Sequence, residues 1–214
     1  MAAQLNGRSI AIIGSGPSAA TSPPGLVDSH DVVVRVNNYK LAGEGTGRRT
    51  DVFYSFFGRS IKKTQGELRR DGVRLCMCKC PDGQFIQSDW HRRHGKMAGV
   101  DFSYIYNLRR DWWFCDTYVP PMEDFLAHFY LLGRHVPTTG FAAILDVLSY
   151  APRSIYLTGF DFFTSGKHNF NEPWTRRNGD DPIGHVPERE RAWLAANRRT
   201  YNMNMDSVLE GMMG

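Results

Sequence analysis

The sequence has no apolar stretch of membrane-spanning length. Nowhere do its 214 residues approach the 18 or more apolar side chains that a spanning helix needs. Met1 to Arg8 lacks the apolar core of a signal peptide. A chain without a transmembrane segment, working in the cytoplasm, is the expectation. Internal repeats, low-complexity tracts and linker-like stretches are also missing, which predicts one domain over residues 1–214. Cysteine is scarce and clustered, as Cys76, Cys78, Cys80 and Cys115. That is not the pattern of a secreted disulfide framework. The first three fall at i, i+2 and i+4, on one face of a strand. His91 and His94 follow them, but the spacing matches no standard zinc module, and no metal is expected. Strong charge of either sign is absent as well. Lys and Arg number 26 against 22 Asp and Glu, and the arginine pairs are scattered. The balance is not by itself a nucleic-acid signature. It leaves room for an anionic ligand or for peripheral association with an anionic membrane surface.

What is present is an ordinary globular composition with alternating element signals. Ser9 to Ile13, Asp31 to Val36, Val73 to Cys78, Phe102 to Tyr106 and Ser154 to Thr158 read as strands. Continuous apolar runs such as Ile10 to Ile13 predict strands covered on both faces, as in a parallel sheet. Helices are predicted from Pro121 to Leu132, Gly140 to Tyr150 and Pro187 to Arg198, punctuated by Gly133 and Pro152. Residues 58–72 and 164–184 read as loops, the second long enough for an active-site lid. Strands alternating with helices predict an α/β fold: a single Rossmann-like, mainly parallel sheet flanked by helices.

The first strand runs into Gly14-Ser15-Gly16-Pro17-Ser18-Ala19, which fits the G-x-G-x-x-A dinucleotide fingerprint. That pattern needs a helix behind the glycines and an acidic residue at the end of the next strand. Here Pro23-Pro24-Gly25 interrupts the helix, and the next strand ends in Asn37-Asn38. A flavin or nicotinamide oxidoreductase and a ligand-free tight turn are the rival readings of the loop.

The glycine loop is also the front of a longer pattern. It continues through Val27-Asp28-Ser29-His30-Asp31-Val32-Val33-Val34-Arg35-Val36-Asn37 to Gly45-Thr46-Gly47-Arg48-Arg49-Thr50-Asp51-Val52. This resembles the large sialyl motif of the sialyltransferase family. Pro137-Thr138-Thr139-Gly140, through to Ile155-Tyr156-Leu157-Thr158-Gly159-Phe160, resembles the small sialyl motif. His168-Asn169-Phe170-Asn171 partly matches the histidine-aromatic tetrad of that family. His185-Val186-Pro187-Glu188-Arg189-Glu190 is similar to its very small motif. The four blocks keep the family's order. The cysteines that join the two main motifs in animal members are replaced by Ile10 and Pro152, and Ser15 stands where asparagine is usual.

The resemblance implies a small soluble sialyltransferase-like glycosyltransferase, with the sialyltransferase-type variant of the GT-A fold. Its donor would be a CMP-activated acidic sugar, a sialic acid or a related ulosonic acid. Its acceptor would be a glycan or another hydroxyl. The leaving group, CMP, is a phosphate monoester that needs less charge neutralisation than a diphosphate. The sequence holds no D-x-D pair of the kind that carries Mg²⁺ or Mn²⁺ in metal-dependent sugar transferases, so no cofactor is expected. His185 is the candidate general base, an imidazole near the start of a helix whose positive end favours the neutral ring. A surface or capping histidine is the plainer alternative. His168 would be the phosphate ligand, or an ordinary loop histidine. Gly14, Ser15, Gly16, Asn37, Thr138, Thr139, Gly140, Gly159 and Phe160 are the candidate donor contacts. Thr138 also suits a helix N-cap. Glu190 either bonds a donor-site group or is a first-turn acid favoured by the helix dipole. Arg35, set among apolar neighbours, is expected to be a buried ion-pair residue, with Asp51 or Asp28 as partner. The Trp112-Trp113-Phe114 cluster and Trp174 are equally open to sugar stacking or core packing. An inactive nucleotide-binding module would carry the same residues.

Overall fold

The computed structural model describes residues 2–41, 43–57, 61–80, 115–164 and 185–214, together with the backbone of 167–168 and 172–173. The expected strand Phe102 to Tyr106, His91, His94, Trp112 to Phe114 and Trp174 lie outside these residues.

Among the described residues, seven strands form one sheet: β1 (Ser9–Ile13), β2 (Val32–Val36), β3 (Val52–Ser55), β4 (Leu75–Cys78), β5 (Asp116–Tyr118), β6 (Ser154–Thr158) and β9 (Met203–Met205). Their order is β5-β4-β3-β2-β1-β6-β9, and every pairing is parallel. β7 (Lys167–His168) and β8 (Glu172–Pro173) form a separate antiparallel ladder. The helices among the described residues are α1 (Ala2–Leu5), α2 (Gln65–Arg70), α3 (Met122–Leu131), α4 (Thr139–Leu148), α5 (Pro187–Asn197) and α6 (Ser207–Met212). None among the described residues is long and apolar enough to cross a membrane.

The strand sequences explain why helices cover both faces. Along β1, Ile10 and Ile12 join the larger apolar cluster, whereas Ala11 and Ile13 join another on the opposite face. β2 is buried at all five positions. One face packs on α4, α5 and α6 through Phe141, Ile144, Leu194 and Leu209. On the other face, Phe53, Cys76 and Cys78 pack with Leu68 of α2 and with Phe125 and Phe129 of α3. Cys80 lies in that same cluster, so the i, i+2, i+4 thiols share an apolar environment. Burying an apolar side chain of this size contributes about 1.5–3 kcal/mol, so these layers carry much of the fold's stability. Polar groups sit within them too: Tyr54 donates a 2.5 Å hydrogen bond to buried Asp146 of α4, whose other oxygen lies 3.6 Å from His128 of α3.

Two local expectations change. Residues 58–72 are not all loop, because α2 forms within them. Thr64 and Glu67 cap each other's backbone N–H groups reciprocally, which starts the helix. Arg35 is fully buried but bonds carbonyl oxygens rather than a carboxylate. Its Nη2 donates to Thr46 O at 2.6 Å and to Arg49 O at 3.0 Å, while Nε reaches Thr50 Oγ1 at 3.0 Å. Asp28 instead accepts from the backbone of Arg48 and Arg49, and Asp51 pairs with Arg74 and Arg49. Burial pulls the Arg35 pKa down to about 10, which leaves it charged at neutral pH. The guanidinium thus ties β2 to the turn that leads into β3.

Candidate donor site at the switch of strand order

β1 is the first strand, and its neighbours β2 and β6 lead the chain away in opposite directions. Ligands of open α/β sheets bind at the carboxyl ends of strands where the order reverses in this way. Gly14, Ser15, Gly16, Gly159 and Phe160 all lie at that position.

Backbone contact explains the glycines. Gly14 N–H donates to Thr158 O, and Gly16 N–H donates to Gly159 O, both at 2.8 Å. A Cβ on Gly14 would sit 2.3 Å from Gly159 O, and one on Gly16 would sit 2.8 Å from it. The turn after β1 therefore lies directly on the end of β6. Behind the glycines runs a short 3₁₀ turn, Pro17–Thr21, rather than the helix that a dinucleotide pyrophosphate requires. Ser15 is half-buried.

Asn37 follows β2 with φ 51°, a left-handed conformation that asparagine tolerates better than most residues. It is buried, and its Oδ1 accepts from Ser55 Oγ at the end of β3. Gly140 opens α4 against the Phe160 ring, and a Cβ there would meet Phe160 Cε1 at 2.7 Å.

The first turn of α5 is tied to the cap of α4 by Glu190 and Thr138. Glu190 accepts from Thr138 N–H at 2.6 Å and from Thr138 Oγ1 at 2.7 Å. Thr138 Oγ1 in turn accepts from Phe141 N and caps α4. Thr138 thus has its N–H and hydroxyl engaged within the protein, and the first turn of α4 offers an anion the backbone of Thr139 and Gly140 and the Thr139 hydroxyl. Glu190 is only 1% exposed, and burial raises its pKa to about 7 despite both bonds. Its neighbour Arg189 donates to Leu132 O at 2.7 Å, fastening α5 to the end of α3.

His185 stands exposed just before α5. Its Nδ1 lies 2.7 Å from Val136 O. A carbonyl can only accept, so Nδ1 carries a proton, and in the neutral ring Nε2 is the nitrogen that bears the lone pair. His168 pairs through its backbone with Glu172 in the β7–β8 ladder, and its side chain lies outside the described residues.

Two further residues belong to this edge and carry no motif signal. Lys79 follows β4, where its N–H bonds Ser55 O, and it is buried to 7% exposure. Burial lowers its pKa, and the Glu190 carboxylate partly opposes that shift. Asp206 caps α6 through Leu209 N, and its other oxygen accepts from Thr158 Oγ1 at 2.8 Å and from Gly159 N–H at 3.1 Å. It holds the end of β6 in place. An aspartate just before a helical run is a legible N-cap, but its reach to β6 is not. Among the described residues, no group of three or more His, Cys, Asp or Glu side chains gathers to hold a metal ion.

No protein-family model matches the chain. No curated protein matches it. Solved structures do. The sialyltransferase CstII from Campylobacter jejuni, in complex with a CMP substrate analogue, superposes with a TM-score of 0.59 at 18% identity, covering 98% of this chain and 85% of that one. The monofunctional α-2,3-sialyltransferase Cst-I of the same organism gives 0.55 at 17% identity, over 96% and 79%. A mammalian sialyltransferase gives 0.54 at 16% identity, over 93% and 68%. The chain has the fold of these sialyltransferases.

Proposed function

We propose that this chain is a glycosyltransferase that moves a sialic acid or a related ulosonic acid from a CMP-sugar donor to a hydroxyl acceptor. One observation carries the reading. Three separate sequence blocks that resemble sialyl motifs meet at the switch of strand order, through Gly16 to Gly159 and through Glu190 to Thr138. In the proposed reaction, the acceptor oxygen attacks the anomeric carbon as the bond to the CMP phosphate oxygen breaks. The hydroxyl proton passes to His185 Nε2. Attack opposite the leaving group inverts the anomeric centre. CMP departs as a phosphate monoester, with His168 and Lys79 as the basic groups offered to the donor's anions. The sequence has no D-x-D pair, which fits a reaction without a metal ion. The acceptor is a glycan or another hydroxyl compound, and the cytoplasm is the proposed site of action.

A thermal-shift series with CMP, CDP, UDP, GDP, NAD and FAD, followed by CMP release from CMP-sialic acid, tests the reading. The expected outcome is stabilisation by CMP and acceptor-dependent CMP release. Stabilisation by NAD or FAD with none by CMP would overturn it. Binding of CMP without any turnover of CMP-sugars would leave an inactive nucleotide-binding module.

A further inference from the structure

The four thiols do not share one environment. Cys76, Cys78 and Cys80 are buried, whereas Cys115 is partly exposed. Cys76 lies in β4 opposite Thr117 of β5. Cys115 immediately precedes β5, and the two-residue period of a strand turns it to the same side as Thr117. Its sulfur consequently lies 3.2 Å from the sulfur of Cys76. Among the described residues, no other pair of cysteine sulfurs is in contact. The thiols also differ as nucleophiles. Cys115 is held below the ordinary thiol range, chiefly by the hydrogen bond it shares with Cys76. Burial raises Cys76, Cys78 and Cys80, the last to about 11. Thiolate character and access decide which cysteine an oxidant meets first.

We propose that Cys76 and Cys115 are an oxidisable pair that closes to a disulfide on exposure to a peroxide. The Cys115 thiolate attacks a peroxide oxygen and breaks the O–O bond, leaving a sulfenic acid and hydroxide. The hydroxide takes a proton to become water. The Cys76 sulfur then attacks Cys115 Sγ and displaces the second hydroxide, which leaves as water with the Cys76 proton. In sum, two thiols and one hydrogen peroxide give one disulfide and two waters. The new bond fastens the edge strand β5 to β4 and closes residues 77–114 into a covalent loop. Cys78 and Cys80 stay reduced.

The test treats the reduced full-length chain with hydrogen peroxide at pH 8, alkylates it after denaturation, and maps its peptides without reduction. The expected product is lighter by two hydrogens, keeps two of its four thiols alkylatable, carries a Cys76–Cys115 cross-link, and reverts with dithiothreitol. Cys115→Ser removes the cross-link and slows thiol loss about tenfold. The wild-type map decides the matter even if that variant folds poorly. A sulfinic acid on Cys115 beside an alkylatable Cys76, a bond to Cys78 or Cys80, or four surviving thiols would each overturn the proposal.

Discussion

The carboxylate of Glu190 grips Thr138 twice, at 2.6 Å through the backbone N–H and at 2.7 Å through the hydroxyl. The residues are 52 apart in sequence, and the contact joins the first turn of α5 to the cap of α4. The geometry exacts a desolvation penalty, because the folded-state pKa stands near 7 against an ordinary 4.5. The sign follows from proton uptake. Between those two values the folded chain keeps a proton that the unfolded chain has released. The contribution of Glu190 is therefore most favourable at acid pH and is lost as pH rises through about 7. Relative to Glu190→Gln, the unfolding free energy of the wild type should fall by about 2–3 kcal/mol between pH 4.5 and 8. Urea titrations of both proteins across that range check this. A difference that stayed flat, or grew with pH, would contradict the assigned shift.

His185→Gln removes the basic nitrogen while an amide can still face Val136 O. Under the proposed mechanism, kcat for transfer should drop about 10²–10⁴-fold, the span typical of a lost general base. CMP affinity should stay within about threefold, since the base faces the acceptor. Steady-state kinetics together with CMP calorimetry separate the two effects. Near wild-type turnover would remove His185 from the reaction.

Lys79→Met keeps the bulk of a buried chain and deletes its charge. If the ammonium serves the donor's anions, CMP should bind about tenfold more weakly, which corresponds to about 1.4 kcal/mol. The melting temperature without ligand reads the scaffold contribution separately: deleting the cation relieves its desolvation but leaves Glu190 without a charge neighbour, so the melt should hold or fall slightly. Calorimetry with CMP and a ligand-free melt give both numbers. Unchanged affinity would assign Lys79 to the scaffold alone.

Gly14→Ala drives a methyl group to 2.3 Å from Gly159 O, a backbone atom that cannot turn aside. Overpacking of this kind costs about 1–3 kcal/mol, so the melt should fall by several degrees. The CMP-induced shift should shrink with it, because β1 and β6 are forced apart at the site. Gly66→Ala is the control, since nothing lies within 4 Å of a Cβ there. Equal melts for the two variants would contradict the close crossing.

Much of this architecture is legible from residue type. The bounds of β1 and β6 follow from apolar runs stopped by Gly14 and Gly159. α3, α4 and α5 start within a residue or two of where proline, threonine and glycine place them. α2 was legible too, in the Thr64–Glu67 capping box, although polar composition alone reads as loop. β3 and β9 were not, because four and three residues are too few to show a period against their surroundings.

The sequence by itself determined that the chain forms a parallel α/β sheet and that its glycine turns, threonine cap and histidines stand in one order along the chain. Only the tertiary structure decided which of these touch. Burial patterns report how much water a segment sheds, not which segment covers it. So the strand order, the Gly16 contact with Gly159 and the Arg35 bonds to carbonyls could not be read from composition or period. Glu190 shows the limit most plainly. As a residue type it is a first-turn acid, and only the crossing of α5 over α4 turns it into the acceptor that holds Thr138.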